Sequence, residues 1–127
     1  ARLPEGLLNA PSVLVEIADT SADYQRDPGM ASHVINLSLL PFSPEDHYSL
    51  TETTGTGSVT ILSRGYGNCR ITSTQVDGLW RVQYYNSTDQ LILDTLEIVA
   101  IPAVACAAPE DLADSAVRLS EIRDALV

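Results

Sequence analysis

Between residues 12 and 26 the apolar side chains of Val13, Leu14, Ile17, Ala18 and Tyr24 recur three and four positions apart, the spacing of one helix face. Ser12 stands at the position of a capping hydroxyl, and Asp27-Pro28-Gly29 supplies a stop. Asp19, Asp23 and Asp27 repeat every four residues, so like charges stack along the helix and it depends on tertiary packing. Residues 33–38 read as extended, up to a break at Pro41. Ser43-Pro44-Glu45-Asp46 then opens a second helix: a capping serine, proline at the first helical position, and acids facing the positive end of the dipole. It carries His47-Tyr48-Ser49 and is expected to run out in the Thr/Gly-rich stretch from Thr51 to Gly57.

From Ser58 the period changes to two. Strands are predicted over 58–63, 69–76, 79–85 and 91–100, with Asp77-Gly78 a two-residue hairpin signal that asks for positive φ at both positions. Trp80, Val82 and Tyr84 alternate against Arg81 and Gln83, which predicts one packed and one wet side, with Trp80 under a helix. The run Leu91–Val99 is almost continuously apolar and reads as the central strand. Pro102 stops pairing, and Pro109-Glu110-Asp111 opens a closing helix with Leu112, Ala116, Leu119, Ile122 and Leu126 on one stripe. The expected fold is α+β: an antiparallel meander sheet of four to five strands, with about three helices packed mainly on one face. One domain spans 1–127, with a helical lead-in over 1–33, the sheet over 58–100 and the closing helix over 109–127.

The 127 residues carry 17 acids and 7 bases, a net charge of −10, and every base is Arg. Phosphate backbones and anionic membranes repel such a surface, so neither nucleic acid nor membrane is an expected partner. The absence of Lys excludes Schiff-base, P-loop and Ser–Lys chemistry in this chain. Two cysteines 37 positions apart exclude a disulfide framework and fit a reducing compartment. The chain does not begin with Met, and its amino terminus is expected to lie further upstream.

No nucleophile–base motif is found, and no catalytic residue or cofactor is expected. His33, His47, Cys69 and Cys106 are the only alternative metal set. Their spacings of 14, 22 and 37 include none of the close ligand pairs that structural zinc sites use. Asp94 and Glu97, three apart in a strand, fall on opposite faces and cannot act as an acid–base couple. The most unusual segment is Gly65-Tyr66-Gly67-Asn68, flanked by Arg64 and Arg70. Two glycines and an Asn admit positive φ and a tight loop, and the two arginines form a fork for a partner's carboxylate. With Tyr85 and Asn86 at a neighbouring turn, these eight residues are the expected partner-binding surface.

Several strings in order resemble one family. They are Ile35-Asn36-Leu37, Leu40-Pro41-Phe42-Ser43-Pro44-Glu45-Asp46, the run from Gly55 to Ile71, Leu79-Trp80-Arg81-Val82-Gln83-Tyr84-Tyr85-Asn86-Ser87, Leu91–Ile98, Ile101-Pro102-Ala103-Val104 and Ala108–Ala116. Over most of residues 34–123 the chain resembles the carboxy-terminal region of the hydrogenase expression/formation proteins HupH, HyaF and HoxQ. Family members are longer, so the resemblance implies a carboxy-terminal domain of a larger protein. It further implies a cytoplasmic, non-enzymatic factor for maturation of nickel–iron uptake hydrogenases. Such a factor acts on the iron–sulfur small-subunit precursor alongside a thioredoxin-like accessory protein. The alternative is a metal or iron–sulfur carrier using Cys69 and Cys106.

Overall fold

A computed structural model describes residues 6–27, 29, 31–64 and 67–127. The elements are α1 (Ala10–Arg26), β1 (His33–Asn36), α2 (Pro44–Thr54), β2 (Thr60–Arg64), β3 (Asn68–Ser73), β4 (Leu79–Tyr85), β5 (Leu91–Ile98) and α3 (Pro109–Leu126). Single 3₁₀ turns occur at Leu37–Leu39 and Ala103–Ala105. All strand pairs are antiparallel, in the order β1-β5-β4-β3-β2. This is the expected α+β class with its meander. The geometric centre of the sheet is β4, and β5 is interior beside it because β1 returns to pair along its outer side.

The register divides the strand residues into two sets. Ile35, Leu79, Leu96 and Ile98 share one face with Arg70, Thr72, Arg81 and Gln83. Val13 and Ile17 of α1 and Leu50 of α2 bury against the aliphatic members of this face, together with Leu37. Each fully buried aliphatic side chain of this kind contributes about 1.5–3 kcal/mol. The far face carries Cys69, Ile71, Trp80 and Val82, packed against Val99 and Ala105.

Trp80 is therefore buried as expected, but not under a helix. The chain leaving β5 crosses the far face, and the Trp80 indole N–H donates to the Val99 carbonyl at 3.1 Å. The helices lie on the side holding Arg81 and Gln83, because the apolar residues of α1 and α2 match Ile35, Leu96 and Ile98 rather than the tryptophan side. Arg81 is accommodated there by a paired contact with buried Asp94, Nε to Oδ1 at 2.6 Å and NH2 to Oδ2 at 2.5 Å. Glu97 is on the opposite face from Asp94, as period two requires.

Three local expectations change. The first helix starts at Ala10, two residues before Ser12, with Asn9 as N-cap and Pro11 in its first turn. The N–H of Ala10, its first residue, and those of Leu8 and Asn9 just before it are satisfied from a distance, by the carboxylate of Asp46 on α2. The β3–β4 connection is longer than two residues: only Gly78 has positive φ, and Thr74 Oγ1 organises the loop by donating to the Leu79 carbonyl at 2.9 Å and accepting from Val76 N–H. The third change concerns α3. The helix forms where its proline and acids placed it, yet every residue from Pro109 to Val127 is exposed, and Leu112, Leu119, Ile122 and Leu126 stay between 46% and 82% exposed. Its stripe meets no sheet surface because α1 and α2 occupy the aliphatic part of one face and residues 99–105 occupy the apolar centre of the other.

Candidate partner-binding site

The β2–β3 turn and the β4–β5 turn lie at the same end of the sheet, since Asn68 pairs with both Arg64 and Tyr85 across adjacent strands. Six of the eight expected site residues are described: Arg64, Gly67, Asn68, Arg70, Tyr85 and Asn86. Gly65 and Tyr66 lie outside the described residues. Arg64, Asn68 and Tyr85 line hollows on both sides of this rim. One, of about 220 Å³, adds Leu62, Arg70 and Asp89. The other, of about 520 Å³, adds Gly67, Cys69, Tyr84 and Asn86.

The described residues of the rim are tied to one another. Glycine at 67 is required by close approach, because a Cβ there would sit 2.3 Å from the Tyr85 carbonyl oxygen. Asn68 Nδ2 donates to Asp89 Oδ1 at 2.9 Å and ties one turn to the other. The Asn86 side-chain oxygen accepts from the N–H groups of Thr88 and Gln90, each at 3.0 Å, while Asp89 takes φ +60°. Asn86 thus holds the turn's shape as well as lining the rim.

Arg64, Arg70 and Arg81 fall on one diagonal of the helix-bearing face, each shifted two residues from the last. Diagonal neighbours of this kind sit about 7–8 Å apart, within reach of long side chains. Arg81 is neutralised by Asp94, whereas Arg64 and Arg70 have no ion-pair partner among the described residues. A third recess, a cleft of about 340 Å³, opens where α2 overhangs β3 and β4 and shares Arg70 with the rim. Sequence reasoning missed this cleft. The polar alternation of Arg70 with Thr72 and of Arg81 with Gln83 was visible, but the overhang of α2 comes only from the tertiary packing.

The alternative metal ligands do not converge. His33 Nε2–H donates to the Glu16 carboxylate at 2.6 Å at the helix-bearing face, and His47 stands edge-on to Phe42 with ring centroids 5.1 Å apart. Cys69 points to the far face, and Cys106 is exposed with its thiol on the Pro102 carbonyl. Among the described residues no three His, Cys, Asp or Glu side chains are grouped to hold a metal ion. Burial pushes the Cys69 thiol up from its ordinary value, a shift that a contact with Tyr84 partly offsets. Burial likewise raises Tyr84, with the neighbouring Cys69 and Glu97 adding to it. This environment favours the neutral thiol over a metal-binding thiolate.

The family model described as "HupH hydrogenase expression protein, C-terminal conserved region" matches residues 7–126. The chain belongs to the HupH family. Its similarity to the hydrogenase expression/formation protein HupQ of Azotobacter chroococcum mcd 1 is 62% identity over 126 residues, 99% of this chain and 44% of that protein. HupH of Rhodobacter capsulatus is 55% identical over 124 residues, 98% of this chain and 44% of that protein. The hydrogenase-1 operon protein HyaF of Escherichia coli (strain K12) is 36% identical over 118 residues, 93% of this chain and 40% of that protein. The chain thus spans less than half the length of these HupH-family relatives. The solved hydrogenase expression protein HupH from Thiobacillus denitrificans ATCC 25259 shares the fold, with a TM-score of 0.82 at 24% identity over 94% of this chain and 97% of that one. No helix among the described residues of this HupH-family chain is long and apolar enough to cross a membrane.

Proposed function

We propose that this domain is a non-enzymatic accessory module in the maturation of a nickel–iron uptake hydrogenase. Its rim of Arg64, Gly67, Asn68, Arg70, Tyr85 and Asn86 holds a partner polypeptide in the cytoplasm. The partner is the iron–sulfur small-subunit precursor, with a thioredoxin-like accessory protein as the second protein of the same step. The observation that carries the reading is the convergence of these residues on one end of the sheet, in a chain whose relatives are named hydrogenase expression/formation proteins. Arginine and tyrosine are enriched at protein interfaces, and two arginines without an acidic partner among the described residues give an acidic protein a local cationic contact.

The test is affinity capture from a hydrogenase-producing cell with the wild-type chain and with Arg64→Glu, an exposed edge-strand position outside the core. The wild type is expected to retain the small-subunit precursor, and the charge reversal to lose most of it while its unfolding midpoint stays unchanged. Equal recovery of the precursor by both would remove the rim from the reading.

A further inference from the structure

We infer that the cleft between α2 and strands β3 and β4 is a carboxylate-binding site, taking an acidic side chain or a chain-terminal carboxylate of a partner polypeptide. That the occupant is a polypeptide rests on the function proposed above; the carboxylate chemistry rests on the cleft alone. The cleft encloses about 340 Å³ and is lined by two arginines and no carboxylate, in a chain with 17 acids and 7 bases.

Its polar side chains are left with hydrogen-bonding capacity directed at whatever enters. Among the described residues Arg70 has no ion-pair partner, and the Thr51, Thr56 and Thr72 hydroxyls and the Gln83 amide make no hydrogen bond. Arg81 spends Nε and NH2 on Asp94, which leaves its NH1 donors free of that pair. The remaining hydroxyls of the lining are consumed internally: Thr54 Oγ1 donates to the Leu50 carbonyl at 2.7 Å, Ser73 Oγ to the Val59 carbonyl at 3.2 Å and Thr74 Oγ1 to the Leu79 carbonyl at 2.9 Å.

A guanidinium with three hydroxyls and an amide around one recess matches a carboxylate's paired acceptor oxygens. A neutral ligand would leave Arg70 without a counter-charge. Arg70 also lines the rim hollow, so one polypeptide segment held by Arg64 and Tyr85 has a direct path to deliver its carboxylate under α2.

The experiment uses the isotopically labelled full chain and three small probes: N-acetylglutamic acid α-amide, N-acetylglutamine with a free α-carboxylate, and the neutral N-acetylglutamine α-amide. Inorganic phosphate is a fourth. The readouts are the Gln83 side-chain amide and the Arg70 Nε–H resonances. At least one carboxylate probe is expected to shift both resonances saturably in the millimolar range, as suits a fragment of a larger ligand. Preference for the first carboxylate probe assigns an internal acidic side chain, and preference for the second assigns a chain terminus. Arg70→Gln should weaken that binding about tenfold or more, since a charge-assisted bond is lost. Arg118→Gln, on the exposed helix α3 and outside both the cleft and the rim, should change it about twofold at most.

Three results overturn the assignment: no saturable shift with either carboxylate, an equal response to the neutral amide or to phosphate, or unchanged binding in Arg70→Gln. Capture from cells separates the two readings. Carboxylate binding with failed precursor capture removes the hydrogenase partner and keeps the site; intact capture with an unresponsive cleft removes the site alone.

Discussion

The carboxylate of Asp46 accepts the backbone N–H of Ala10 at 3.0 Å across 36 residues of sequence, so the first turn of α1 is capped by a side chain of α2. The same carboxylate accepts from Leu8 at 2.9 Å and from Ser43 at 3.0 Å, and Ser43 Oγ accepts the Asp46 N–H to close a capping box. Two helix starts thus depend on one fully buried acid.

Burial by itself would raise the Asp46 pKa; the N–H groups of Ala10, Ser43, Leu8 and Asn9 overcome that and hold it far below the usual carboxylate range. A folded-state pKa lower than the unfolded one gives stability that is complete above the unfolded value, about 4, and is lost as pH falls below it toward the folded pKa. Chemical denaturation at a series of acidic pH values should show wild-type stability falling from about pH 4 downward. Asp46→Asn should be less stable at neutral pH and have a shallower acid limb. Parallel acid limbs in the two proteins would mean that Asp46 does not govern the transition.

Trp80 anchors the far face, 8% exposed, against Ile71, Val82 and the crossing segment. Trp80→Ala should cost about 3–5 kcal/mol, enough to unfold most of a marginally stable domain. Trp80→Phe keeps much of the packing but leaves the Val99 carbonyl without its donor, a loss of about 1 kcal/mol from that bond. Urea unfolding of both variants measures the difference, and a cost below about 1 kcal/mol for the alanine would contradict the packing described.

Leu50 and Leu119 make a matched test of which helices belong to the core. Leu50 is 1% exposed and Leu119 is 63% exposed. Leu50→Ala should cost about 2–5 kcal/mol, and Leu119→Ala under about 0.5 kcal/mol. Thermal unfolding of the two variants reads this directly. A large loss in Leu119→Ala would show that α3 packs in solution on something the fold itself does not place there.

Much of the architecture was legible because local rules and tertiary packing agree. Ser43-Pro44-Glu45-Asp46 starts a helix in any setting, and the glycine after Thr54 ends it at φ +72°. Period-two alternation set the register: Asp94 and Glu97 had to part company across the sheet, and Arg64, Asn68, Arg70 and Tyr85 had to share its rim. At Gly67 the close approach of the Tyr85 carbonyl leaves no room for a Cβ, a constraint that comes from the neighbouring strand and not from the local sequence.

By itself, then, the sequence determined which segments are helix and strand, which side chains share a face, and the family to which the pattern belongs. Only the tertiary structure decided which face the helices cover, that a remote aspartate caps α1, that α3 stays uncovered, and that α2 overhangs Arg70. The division has one cause. Periodicity records each element's own apolar and polar sides, whereas the choice between two partly apolar sheet faces depends on how well separate stripes fit together, and that fit exists only once the elements meet.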